Sequence, residues 1–162
     1  MGAFDSTDPF TQCEALIIAT LEGDTAWKAL VKEANRLWRT GTARSVRRLG
    51  EITGDVPSVD LVPAGFEVEG WTSSGLVCQQ TFELRIISGD LRPKQAMFPL
   101  RFATIRVLHA LRVVPDAAKK WLTAVEFWAS DDDVVGGGRT PAGWVTALSI
   151  VCKMIIQDTD LV

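Results

Sequence analysis

Apolar positions along this chain follow a helical period at first. After Asp8-Pro9, residues Cys13, Leu16, Ile17 and Leu21 fall at helical spacing and form one stripe. Asp8 is placed to cap this helix, Pro9 suits its first turn, and Gly23 stops it. Asp24 then caps a second predicted helix, TAWKALVKEANRLW, with Trp27, Leu30 and Val31 as its apolar positions. Gly41 and the arginine-rich stretch after it read as irregular loop, with a turn of helix in SVRRLGEI.

From Val59 the period shortens to two. VDLVPAGFEVE is β-branched but broken by Pro63 and Gly65, which predicts a kinked or edge strand. A polar turn, Thr72 to Gly75, leads into a second strand. There Leu76, Cys78, Gln80, Phe82, Leu84 and Ile86 alternate with Val77, Gln79, Thr81, Glu83, Arg85 and Ile87. Ser88 to Pro93 reads as loop, and a helix follows over Lys94 to Val113, with Pro99 perturbing its first turns. That helix carries two apolar sets. Leu100, Val107, Leu108 and Leu111 make a core stripe; Phe98, Phe102 and Ile105 lie on another side, interleaved with Arg101, His109 and Arg112. A helix apolar on both sides is expected to be sandwiched, here between the sheet and the first helix. The alternative is that its aromatic and basic side packs on another subunit.

WLTAVEFWAS and GWVTALSIVCKMII alternate in the same way and predict a long-armed hairpin joined by about fourteen loop residues. The order is therefore α-α-β-β-α-β-β. This predicts an α+β fold, a mostly antiparallel four-stranded sheet of two hairpins with helices packed on one face. At 162 residues the chain is expected to be a single domain.

Composition narrows the function classes. With 47% hydrophobic and 23% charged residues the chain is ordinary globular protein. A net charge of -3 gives no global basic field for nucleic acid. Arg36, Arg39, Arg44, Arg47 and Arg48 cluster without an acid, which reads as a solvated loop of snorkelling arginines. No stretch approaches the roughly 18 apolar residues of a membrane span, and MGAFDSTDPF lacks the basic start of a secretory signal. Cys13, Cys78 and Cys152, far apart in apolar surroundings, read as buried reduced thiols of an intracellular protein.

The loop DDDVVGGGRTPAGW invites a search for chemistry. Gly138 and Gly143 have phosphate-loop spacing, but Trp144 and Val145 stand where Lys and Ser or Thr are needed, and a strand follows instead of a helix. Asp131, Asp133 and Gly136 match part of a calcium loop, yet Val135 and Ala142 occupy positions that need oxygen ligands. A weak cation site at Asp131 to Asp133 is the most that remains. His109 is the one histidine, and it lies mid-helix without a G-x-S-x-G elbow anywhere in the chain. The three separated cysteines lack zinc spacing. Among Glu67, Glu69, Glu83 and Glu126 nothing singles out a hydrolase pair. The expectation is a protein without catalytic residues, cofactor or metal.

Surface residues then carry the reading. Six tryptophans are many for this length, and Trp71, Trp128 and Trp144 fall at strand ends, where aromatic residues anchor either interfaces or cores. Asp8-Pro9-Phe10, the run Asp55, Pro57, Val59, Leu61, Pro63, the strand CQQTFELRIISGD and the closing Gly143, Trp144, Leu148, Ile150, Cys152 resemble the phage tail terminator, or tail completion, proteins. Arg36 to Gly54 and Asp131 to Gly143 match no motif of that family. The resemblance implies a structural virion or prophage assembly protein. It would form a ring, typically a hexamer, that caps the tail tube and joins it to the head connector, first in the host cytoplasm and then in the virion tail. Partners would be further copies of itself, the tail tube protein and the connector, with no membrane and no specific nucleic acid. Interaction residues expected on this reading are Asp131, Asp132, Asp133, Arg139 and Trp144 around the loop, and Phe98, Arg101, Phe102 and Arg112 on the helix. Two alternatives stay open: another neck or tail adaptor, or a small cellular α+β ligand-binding protein or hydrolase.

Overall fold

The computed structural model describes residues 8–39, 57–88, 97–113, 121–129, 132–137 and 140–158, with backbone alone at 39, 112–113, 129, 133–137 and 140–142. The expected turn of helix in SVRRLGEI and most of the Ser88 to Pro93 loop lie outside them. Helix α1 (Pro9–Glu22) begins as its sequence dictates. Asp8 accepts the Thr11 amide at 2.9 Å and the Thr11 hydroxyl at 2.8 Å, satisfying donors that the first turn leaves open. Cys13, Ile17 and Leu21 are buried along its inner face.

Helix α2 (Thr25–Leu30) is capped by Asp24, which accepts the Trp27 amide at 2.7 Å. It is shorter than its periodicity predicts. Val31 turns to extended backbone, and two 3-10 turns, Glu33–Asn35 and Leu37–Arg39, replace the expected helix; Leu30 is exposed. Tertiary contacts override the helical pattern here. Arg36 turns inward, donating from Nε and Nη2 to the Val31 carbonyl at 3.1 and 3.0 Å, and lies 3.7 Å from the Glu22 carboxylate. Its guanidinium sits 5.8 Å from the ring centre of Trp27, against which Trp38 stacks at 6.0 Å. So Arg36 is a buried, paired residue and not part of a solvated loop. Trp27 itself is fully buried, and its Nε1 donates to Thr104 Oγ1 at 3.0 Å.

Five strands follow among the described residues: β1 (Ser58–Thr72), β2 (Gly75–Ile87), β3 (Leu122–Ala129), β4 (Asp133–Gly137) and β5 (Thr140–Ile156), with helix α3 (Met97–Val113) between β2 and β3. The sheet order is β1-β2-β5-β3, every pairing antiparallel, as the alternation predicts for an α+β fold of two hairpins. One feature differs from expectation. Part of the presumed loop between the last two strands is β4, which pairs with β5 from Asp133↔Val145 to Gly137↔Thr140 and prolongs the edge that β3 begins. Glycines here were read as turn formers, but the Val134-Val135 pair extends the ladder.

Even-numbered residues of β2 and β5 face the helices. Cys78, Phe82, Leu84 and Ile86 lie beside Met154, Ile150, Leu148 and Thr146 in register. Leu100, Val107, Leu108 and Leu111 of α3 close over this face, as the core stripe predicts. All three cysteines are buried and unbridged. Burial of Cys78, helped by the Glu69 charge, pushes its thiol pKa up and keeps it protonated. β1 is an edge strand with irregularities at Pro63/Gly65 and Val68/Gly70, as its proline and glycine foretell.

Gly75 pins the β1–β2 turn against the end of β5. Its φ is +128°, and a Cβ there would stand 2.2 Å from the Ile156 carbonyl oxygen. Gly65 has nothing within 4 Å. Gly75→Ala is therefore expected to lower stability by about 1–3 kcal/mol, whereas Gly65→Ala changes it little; thermal melts of the two variants compare them directly.

Candidate interaction surface

Helix α3 uses one side for the core and leaves the other uncovered. Phe98, Phe102 and Ile105 are 44%, 70% and 48% exposed. The expectation that this side is sandwiched between sheet and α1 is therefore corrected. Met97, Leu100, Ala103, Thr104, Val107, Leu108 and Leu111 already occupy the arc that meets the sheet, α1 and α2, so residues at the opposite spacing have nothing to pack on. Pro99 falls in the first turn, where a missing amide donor costs nothing.

Arg101 ties this helix to the last hairpin. Its Nη2 donates to Asp132 Oδ1 in a close ion pair, to Thr146 Oγ1 at 3.2 Å and to Met97 Sδ at 3.4 Å. The guanidinium also lies 5.7 Å from the centre of the Phe98 ring. Burial alone would raise the Asp132 pKa. The hydrogen bonds from Arg101 and Thr146, with the Arg101 charge, outweigh that and hold it below the ordinary carboxylate value. A carboxylate held this way is a poor ligand for a cation. Among the described residues no three His, Cys, Asp or Glu side chains gather as a metal site.

The structure thus brings together Phe98, Arg101, Phe102 and Asp132, four of the sequence-selected residues, though nothing in the sequence linked the helix to the loop. Trp144 is half-buried a short way along β5. Its amide donates to Ser88 Oγ at 3.2 Å and its carbonyl accepts the Ser88 amide at 2.9 Å, which locks the start of β5 to the end of β2. Asp133 is placed by its backbone pairing with Val145. Asp131, Arg139 and the Arg112 side chain lie outside the described residues. His109 is exposed on α3.

A second uncovered region was not selected from sequence, apart from Trp71. Beyond Val62, β1 runs on with its helix-side residues bare: Phe66 is 55% and Trp71 65% exposed, with Val68 between them. α1 reaches the first of these through an edge contact of Phe10 with Phe66 at 5.5 Å. The available signal was the FEVEGW pattern, apolar on one face and acidic on the other, in a strand too far along for α1 to cover. Trp128 is a third exposed aromatic, on the opposite face of the sheet in the row of Ser149 and Glu83. No helix of the described residues is long and apolar enough to cross a membrane. No family model matches this chain, and none of the curated proteins does.

The Asp132 tie predicts a pH signature. A folded-state pKa below the unfolded value contributes stability that is present above the unfolded pKa and lost as pH falls through the folded one. Since the pair is part-exposed, the contribution is about 0.5–1 kcal/mol after solvent screening. Asp132→Asn is expected to melt lower than the parent at neutral pH, and the gap to close in strong acid. Melting curves across that range check it.

Proposed function

We propose that this protein is a non-catalytic assembly protein of the tail-terminator kind, which acts as an oligomeric ring capping a tail tube and joining it to the head connector. The observation that supports this reading best is the coexistence of a complete core with large apolar side chains left bare at separate places. Phe102, Trp71 and Trp128 are each more than half exposed, while the core side chains of Trp27, Leu84, Ile86 and Ile150 are fully covered. Scattered single hydrophobic residues need no explanation, but grouped aromatic ones mark surfaces for protein contact. The antiparallel α+β architecture, with helices on one face, agrees with what the family resemblance implies.

On this reading the described part of the arm, residues 132–137, works as a structured projection and not as a slack loop, because β4 pairs with β5 and Asp132 is fastened to Arg101. The protein carries out its work in the cytoplasm of the host and remains in the virion tail.

Sedimentation and native mass measurements test the proposal. A ring-sized oligomer is expected, either from the protein alone or on adding a tube protein encoded beside it. A strict monomer that also ignores tube protein would overturn the reading.

A further inference from the structure

The two uncovered apolar regions on the helix side lie far apart on the molecule. Arg101 attaches at Thr146, whereas Trp71 lies in the row of Leu76 and Ile156. Ten residues of β5 separate those rows, about 34 Å at strand rise. They also differ laterally, since Trp71 belongs to the β1 edge, while α3 contacts β3 on the other side of the sheet. One copy therefore cannot cover its own patch with the other.

The patches are matched in size and opposite in charge. Three apolar side chains on each expose about 300 Å², taking roughly 150–250 Å² for a full aromatic side chain. A standard interface covers about 800 Å² per partner, with an apolar centre and a polar rim, so each patch fits such a centre. Helix α3 carries Arg101, Arg106 and Arg112 and no acid. Beside the other patch β1 carries the exposed Glu69, with no base on α1 or on β1 beyond Val62, whereas Glu67 lies on the outer face with Gln79 and Glu22 is held by Arg36 and Trp38. Arg101 meets Asp132, and Arg106 reaches Asp24 at 3.2 Å through one Nη, yet the Arg106 side chain stays 50% exposed. A guanidinium has donors to spare for a second carboxylate.

We propose that the bare end of β1 in one copy, centred on Phe66 and Trp71, docks on the Phe98–Phe102–Ile105 face of α3 in a second copy. The contact is heterologous, each copy giving one surface and receiving with the other, and repetition closes a ring if the rotation per step permits. It rests on the reading above in taking self-association as the work of the protein, and it adds which surfaces meet.

Trp71→Asp and Phe102→Glu, both at exposed positions, separate the possibilities. Each variant alone is expected to self-associate at least tenfold more weakly than the parent while keeping its circular dichroism spectrum. Mixed in equal amounts they are expected to form a dimer with one copy of each, because the first keeps its α3 face and the second its β1 end. The mixture should stop at that dimer. Failure of the mixture to pair, or undiminished association of either variant, would overturn this contact while leaving an oligomeric function standing by another surface. A parent protein that stays monomeric, alone and with tube protein, would overturn both.

Discussion

The pairing of β2 with β5 is the constraint on which the other features depend. Twelve residues of each strand meet in unbroken antiparallel register, from Leu76↔Ile156 to Ile87↔Val145. Side chains alternate between faces, so this register decides in one step which residues meet the helices. A slip of β2 by one residue against β5 would turn Phe82, Leu84 and Ile86 to the outer face and bring Glu83 and Arg85 into the core. The cost of burying those charges specifies the register strongly. Once it is set, β1 must follow β2 through a turn that only Gly75 fits, and β3 and β4 must line the far side of β5.

The described helices complete the core but do not cover the whole sheet. α3 is held at several places: Thr104 accepts a hydrogen bond from the buried Trp27 ring, Arg101 reaches Asp132 and Thr146, and Arg106 reaches Asp24. Those anchors fix its rotation, so Phe98, Phe102 and Ile105 face away from the core. α1 ends its cover at Phe66, which leaves Trp71 bare. The exposed surfaces are thus consequences of how the core is built.

Much of the fold was legible because its signals are local. Asp8-Pro9 gives a cap and first turn, the alternation of β2 gives its two faces, and Pro63 and Gly65 give an irregular edge strand. What was not legible depends on distant contacts. Nothing within TAWKALVKEANRLW announces that Arg36 will fold back to the Val31 carbonyl, because the gain comes from Trp27, Trp38 and Glu22 acting together. β4 was hidden by glycines and aspartates that usually mark turns. The interaction surface was half visible. Composition singled out the aromatic and basic side of α3, but the link between Arg101 and Asp132 spans 31 residues and has no sequence signature. The Phe66 to Trp71 patch escaped notice because its exposure follows from where α1 stops.

Crosslinking tests most directly whether one copy gives and another receives. The native cysteines are buried, so cysteines introduced together as Trp71→Cys and Phe102→Cys would be the reactive thiols under mild oxidation. Head-to-tail contact predicts a ladder of dimers, trimers and larger species, ending at the ring, from the double variant alone. Either single variant should give no ladder. A double variant that oxidises no further than dimer, or not at all, would contradict the account.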